Sequence, residues 1–235
     1  LPLAYDFRTN DVEKGGQGAP LAPAYHAALL RRLGPGQSRA VLNLGGVANI
    51  TLMKSDGTLV AFDTGPANGP IDEWIELHGL GTYDVDGAIA SGGRVNELSI
   101  EQWMDNPWFD NHGPKSLDRF DFSADLARGM SVSDGAATLT AFSAECVAHA
   151  VRHAAEVPEQ LIVCGGGRRN PALMGELQRR VPCDVLSAED VGWLGDSIEA
   201  QAFAFLAVRT LRGLPISWPG TTKVPAAMPG GRLID

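Results

Sequence analysis

Cysteine is scarce in this chain. Among 235 residues there are three, Cys146, Cys164 and Cys183. The number is odd and no CxxC spacing occurs, which excludes a disulfide framework and a cysteine-rich zinc site. The three read as buried or free thiols in a reducing compartment, and a cytoplasmic location is expected. Histidine is sparse as well, and only His149 and His153 stand at i,i+4. That pair has no intervening Glu and no third ligand, so it reads as a helix face and no metal site is expected. Positive charge is short: 19 Lys and Arg face 28 Asp and Glu, for a net charge of -9 and a pI near 5.0. This excludes sequence-independent nucleic-acid binding, which needs a basic surface. An anionic ligand would have to be met by a few local cations. No run of 18 apolar residues occurs, so no membrane-spanning helix is expected. The Gly-x-Ser-x-Gly elbow of serine hydrolases is missing too, as are internal repeats, low-complexity tracts and charge blocks. The opening Leu1-Pro2-Leu3-Ala4-Tyr5-Asp6 has no Met and reads like the middle of a protein, so residues upstream are expected.

What is present is a chain 44% hydrophobic, enough for one large domain or two small ones with a real core. Its most informative stretch is 161–170, Leu-Ile-Val-Cys-Gly-Gly-Gly-Arg-Arg-Asn. An apolar run enters three glycines and then a helix start at Asn170-Pro171. Glycines let a backbone approach a ligand closely, and a helix start offers free N–H groups to phosphate or nucleotide. The same pattern also serves a plain tight turn between strand and helix. A second glycine turn lies at 42–49 and a third at 63–68. Three such loops at strand ends suggest a nucleotide site built from several turns.

Residues 1–20 show little apolar periodicity and read as a loop or crossover. Residues 21–33 have helical spacing and end at Gly34-Pro35-Gly36. Apolar runs at 39–44, 48–53 and 59–63, with a hairpin turn at Ser55-Asp56-Gly57, read as a three-strand meander. Helices are expected at 69–78, near 94–105, and at 132–156 with Ser133 as N-cap and Asp134 at the positive end of the dipole. A strand at 160–164, a helix at 171–180, a strand at 184–186 and a helix at 197–211 follow. Asp84 and Asp86, just before Gly87, read as a turn rather than a calcium loop. Residues 213–235 are rich in proline and read as a surface-hugging or mobile tail. A meander followed by βα units fits an α/β fold of the ribonuclease-H-like type used by sugar kinases, actin and related ATPases: a mixed sheet with flanking helices.

Several blocks, taken in order, resemble the anhydro-N-acetylmuramic acid kinase family. They are Asp6-Phe7-Arg8 with Asp11; Gly15-Gly16-Gln17-Gly18-Ala19-Pro20; Asn43-Leu44-Gly45-Gly46-Val47-Ala48-Asn49; and Phe62-Asp63-Thr64-Gly65-Pro66-Ala67-Asn68. Asp84-Val85-Asp86-Gly87, Gly113-Pro114-Lys115-Ser116, Val163-Cys164-Gly165-Gly166-Gly167 with Asn170, and Glu199-Ala200 with Ala202-Phe203-Ala204 continue the match. Two departures stand out. The family's N-terminal lobe carries a Ser-Gly-Thr-Ser-x-Asp-Gly type phosphate loop that this sequence lacks; either the gene product is longer or this chain cannot close a full site. And Leu117-Asp118-Arg119 stands where many relatives have Thr-Gly-Arg/Lys-Glu.

The resemblance implies an actin-like fold and a kinase that uses ATP and Mg²⁺. Its reaction would open 1,6-anhydro-N-acetylmuramic acid with water and phosphorylate it to N-acetylmuramic acid 6-phosphate, in peptidoglycan recycling. It also suggests a homodimer. Residues 1–14 would end the N-terminal lobe or form the crossover, 15–212 the C-terminal lobe and 213–235 an extended tail. A kinase for another amino sugar, and a non-catalytic nucleotide-binding lobe, stay open beside it. By the same resemblance Asp63 is the catalytic base, although Asp is also common as a turn or helix cap. Asn43, Gly45, Gly46, Gly165, Gly166, Gly167 and Asn170 are expected at the nucleotide, although a glycine hairpin at 45–46 could merely permit a tight bend. Arg8, Asn68 and Glu199 are expected at the sugar; Arg8 could equally be a surface cation, and Glu199 a carboxylate complementing a helix dipole.

Overall fold

The computed structural model describes residues 2–111, 114–118 and 120–234. Gly113 of the expected Gly113–Ser116 block, His112 and Arg119 lie outside the described residues. The chain starts with β1 (Leu3–Tyr5) and α1 (Thr9–Glu13), then α2 (Pro23–Arg32), β2 (Arg39–Leu44), β3 (Val47–Met53) and β4 (Leu59–Pro66). Next come α3 (Asn68–Leu77), α4 (Ala88–Ser91), α5 (Glu97–Met104) and the long α6 (Val132–Arg152). It closes with β5 (Gln160–Cys164), α7 (Pro171–Arg180), β6 (Asp184–Ser187), α8 (Ile198–Leu211), α9 (Pro219–Thr222) and β7 (Arg232–Ile234).

A five-stranded sheet in the order β4-β3-β2-β5-β6 organises the molecule. β2, β3 and β4 form the expected antiparallel meander, while β5 pairs parallel with β2 and β6 parallel with β5. Parallel pairing needs a crossover, and α6 and α7 supply the two. Alternation along each strand sends side chains to opposite faces. Leu42, Leu44, Leu161 and Val163 pack against Ala144, Val147 and Val151 of α6 and Leu173 and Leu177 of α7. Val41, Ile162 and Cys164 point the other way, against Ala27 and Leu30 of α2 and Ile198 at the start of α8. The result is helix, sheet, helix, in three layers.

α6 is buried on more than one side. Away from the sheet its Ala136 and Leu139 meet Ile71 and Trp74 of α3, and Ala141, Phe142 and Cys146 meet Phe109 and Phe122. Phe142 is wholly enclosed; truncating such a ring costs about 3–5 kcal/mol.

Three local expectations are corrected. The N-cap of α6 is Ser131, whose hydroxyl accepts from the Asp134 N–H, so Ser133 lies inside the first turn. The helix also stops at Arg152, four residues early, and Glu156 instead accepts from the Ser55 N–H and hydroxyl. Residues 1–20 are not featureless: β1 pairs antiparallel with β7, and Asp11 of α1, buried, accepts from the Gly18 N–H and the Thr222 hydroxyl, each at 2.7 Å. In the tail, Ile216 and Val224 are buried.

Candidate functional site

Four residues stand in register across adjacent strands: Cys164 of β5 opposite Asn43 of β2, Asn43 opposite Asn49 of β3, and Asn49 opposite Asp63 of β4. Asn43 and Cys164 lie at the carboxyl ends of their parallel strands, where ligands bind in open α/β sheets. All four line one cavity of about 700 Å³ on the α2 and α8 side of the sheet. Its opposite wall is Ile198, Glu199, Ala202, Phe203 and Leu206 of α8, and one end is closed by Asp6, Phe7 and Arg8.

Asp63 is gripped twice by the segment after the long irregular loop. Its N–H donates to the Lys115 carbonyl at 2.9 Å, and its carboxylate Oδ2 accepts the Leu117 N–H at 2.8 Å. Burial pushes its pKa above the usual carboxylate value, and the Leu117 hydrogen bond opposes that rise. His26, buried on the cavity floor, shares a 2.9 Å hydrogen bond between Nδ1 and the Thr51 hydroxyl. Burial lowers its pKa to about 4, so it is neutral at pH 7. Burial likewise pushes the Cys164 thiol up to about 12, which makes it a poor nucleophile.

The glycine turn after β5 is shaped by contact. Gly165 has φ +79°, and a Cβ there would lie 2.6 Å from both Asn43 Oδ1 and the Leu44 carbonyl oxygen. Only glycine lets β5 turn this close to β2. Arg168, which also lines the cavity, clasps the turn, with its side chain 5% exposed. It donates to the Gly165 carbonyl at 2.9 Å and to Glu189 and Asp196 at 2.8 Å each. These bonds hold the guanidinium charged and keep both carboxyls below their usual range. By contrast, the Arg8 guanidinium is exposed and makes no ion pair among the described residues.

The cavity thus brings together Asp63, Asn43, Gly165, Gly166, Arg8 and Glu199. Gly167, Asn170 and Asn68 line a second cavity of about 450 Å³, which shares Gly166 with the first and is also lined by Asp72 and Tyr83. Asn170 caps α7, its Oδ1 accepting from the Ala172 and Leu173 N–H groups. Asn68 donates to the carbonyls of Leu44 and Gly45. Gly45 and Gly46 line neither cavity; their carbonyls accept the N–H groups of Ala67, Asn68 and Gly69 at the start of α3. Asn49, His26 and Arg168 were not singled out from sequence. Asn49 could have been found by continuing the meander register from Asn43; His26 and Arg168 carried no local signal.

A three-strand antiparallel meander extended by parallel strands, with helices on both faces and a cavity at the strand ends, defines a ribonuclease-H-like lobe of the actin-like ATPase class. The activator of the 2-hydroxyisocaproyl-CoA dehydratase from Clostridium difficile, solved with bound ADPNP, shares this fold. Its TM-score is 0.53 at 16% identity, over 81% of this chain and 67% of that one. The family model for anhydro-N-acetylmuramic acid kinase matches residues 1–232. The anhydro-N-acetylmuramic acid kinase of Caulobacter vibrioides is 57% identical over 99% of this chain, and that of Rhizobium rhizogenes 55% over the same share. The chain belongs to the anhydro-N-acetylmuramic acid kinase family. It spans 63% of the length of each of these two relatives.

Proposed function

We propose that this chain is the C-terminal lobe of an ATP-dependent kinase that opens 1,6-anhydro-N-acetylmuramic acid and phosphorylates it at O6, as a step in cytoplasmic peptidoglycan recycling. The observation that carries this reading is Asp63, a half-buried carboxylate on the cavity wall in a chain of this family. In this reading Asp63 takes a proton from water as the water oxygen attacks C1. The C1–O6 bond breaks, and O6 attacks the γ-phosphorus of ATP in line, releasing ADP. A carboxylate whose pKa burial raises suits a base, because its basicity rises with it.

The Gly165–Gly167 turn is the part suited to the nucleotide. It leaves the backbone bare between the two cavities, with the cap of α7 just beyond. Asn43 and the second cavity, with Asn68 and Asn170, extend that surface. Mg²⁺ bound together with ATP would supply charge neutralisation at the transferring phosphoryl group. Arg8 is the cation suited to the substrate's carboxylate or a phosphate, and Glu199 the acceptor suited to sugar hydroxyls. Residues 15–212 form the kinase lobe, residues 1–14 the end of the preceding lobe or the crossover to it, and 213–235 its tail. The test is Asp63→Asn in protein from the whole reading frame. Turnover is abolished while ATP binding persists, because a base is lost and no phosphate contact is. Near-normal turnover would defeat the assignment.

A further inference from the structure

Lys115 is an unusual place for a charge. It is 9% exposed, in the segment whose backbone holds Asp63, with no carboxylate in ion-pair contact among the described residues. Its ammonium donates to the Trp108 carbonyl at 3.0 Å and sits 3.7 Å from the centre of the Trp108 ring, with the Phe109 ring at 5.7 Å. Burial pulls its pKa below the ordinary lysine value, the cost of withdrawing an ammonium from water. A methionine or leucine would fill such an aromatic slot at no such cost.

The backbone of the same segment explains the arrangement. The Lys115 carbonyl accepts the Asp63 N–H, and the Leu117 N–H donates to the Asp63 carboxylate. Trp108 belongs to a short 3-10 turn, Pro107–Asp110, capped by Asn106. That turn is fixed to the core by Phe109, which is fully buried against Phe122 and Phe142. The path is short: core, Trp108, Lys115 side chain, Lys115–Leu117 backbone, Asp63 carboxylate. Residues 114–118 are otherwise a loop without helix or strand. A loop can aim a carboxylate only if it is tied down, and a cation on an aromatic face with a carbonyl acceptor is such a tie.

We infer that Lys115 is a positioning residue for Asp63: its ammonium, held on Trp108, fixes the loop whose backbone aims the carboxylate. This rests on the reading of Asp63 as the base. It implies that Lys115 acts on the chemical step and not on nucleotide binding, since its side chain lies outside both ligand cavities.

The test uses protein from the whole reading frame, with Lys115→Met, Lys115→Arg and Asp63→Asn measured side by side. Lys115→Met keeps length and apolar bulk but removes the charge. Its kcat is expected to fall about 10- to 100-fold, the scale of an ångström of misplacement, while KM for ATP stays unchanged and melting stays cooperative. Lys115→Arg keeps a cation on the ring and restores most of kcat. Wild-type kcat in Lys115→Met overturns the inference, as does a loss carried equally by KM for ATP or unrelieved by arginine. Should Lys115→Met not melt cooperatively, Lys115→Gln, which keeps a donor for the Trp108 carbonyl, is judged by the same criteria. An active Asp63→Asn would sink the base assignment instead, so the two failures are told apart.

Discussion

Asn49 lies directly opposite Asp63 in the β3–β4 register, one step across the sheet, and both face the same cavity. Opposed residues of an antiparallel pair have Cβ atoms about 4.5–5.5 Å apart, so an amide stands beside the proposed base. Asn49→Ala, which removes the amide beside the base, should lower kcat. The melting temperature should barely change, since the site is only half buried. Steady-state kinetics with a parallel melt decide it; unchanged kcat would remove Asn49 from the site.

The Asp63 carboxyl carries a pH signature. Burial raises its folded pKa above the ordinary value. The folded chain therefore binds that proton more tightly than the unfolded chain. The group favours folding below its ordinary pKa, and this contribution is lost as pH rises through the raised value. Asp63→Asn, permanently neutral, should melt at or above the wild-type temperature at pH 8 while being inactive. In the wild type, kcat should drop on the acid side as Asp63 protonates. A variant that melts well below wild type at pH 8 would mean that burial is not the dominant influence on this carboxyl.

Gly165→Ala tests the nucleotide turn. The added methyl would press on Asn43 and Leu44, and the residue would be held at positive φ, a strain of about 1–3 kcal/mol. A lower melting temperature and weakened ATP binding are expected, read by calorimetry. Wild-type ATP affinity in a folded Gly165→Ala would place the nucleotide elsewhere.

Arg168→Lys replaces the planar fork that reaches Gly165, Glu189 and Asp196 with a compact point charge that cannot span all three. Because the partners are half exposed, the loss should be modest, about 1–3 kcal/mol for hydrogen bonds to charged groups. It should be accompanied by weaker ATP binding, since the turn loses its brace.

In the second cavity, burial and then the neighbouring Glu76 raise Asp72 to about 6. A raised carboxyl favours folding when protonated, and the benefit disappears as pH rises through 6. Asp72→Asn should therefore melt like wild type near pH 4 and higher than wild type at pH 8. Equal melting at both pH values would contradict the shift.

The meander and the βα units after it were legible because each strand is an apolar run bounded by glycine or polar turns, as at Leu44-Gly45 and Cys164-Gly165. The longer helices were legible from spacing, whereas the short α1, α4 and α9 were not, being a turn or so each in segments without apolar periodicity. Caps were less so: Ser131 and Ser133 both suit an N-cap, and only the backbone at Ser131 decides between them. Pairings between distant segments were not legible at all. β1 meets β7 across almost the whole chain, and nothing local to Leu3–Tyr5 announces it. The same applies to the cavity. Asn43 and Gly165 stood out by their glycines, whereas Asn49 joins the site through strand register, His26 through the packing of α2 on β3, and Arg168 through carboxylates 21 and 28 residues further on.

Release of ADP by protein from the whole reading frame, given MgATP with 1,6-anhydro-N-acetylmuramic acid or with N-acetylmuramic acid, is the measurement to make first. Turnover with the anhydro sugar alone is the expected result, because in the proposed reaction ring opening by an Asp63-activated water is coupled to phosphorylation of O6. Turnover with N-acetylmuramic acid would point to an ordinary sugar kinase, and turnover with neither to a nucleotide-binding lobe without this chemistry; either would contradict the proposed reaction.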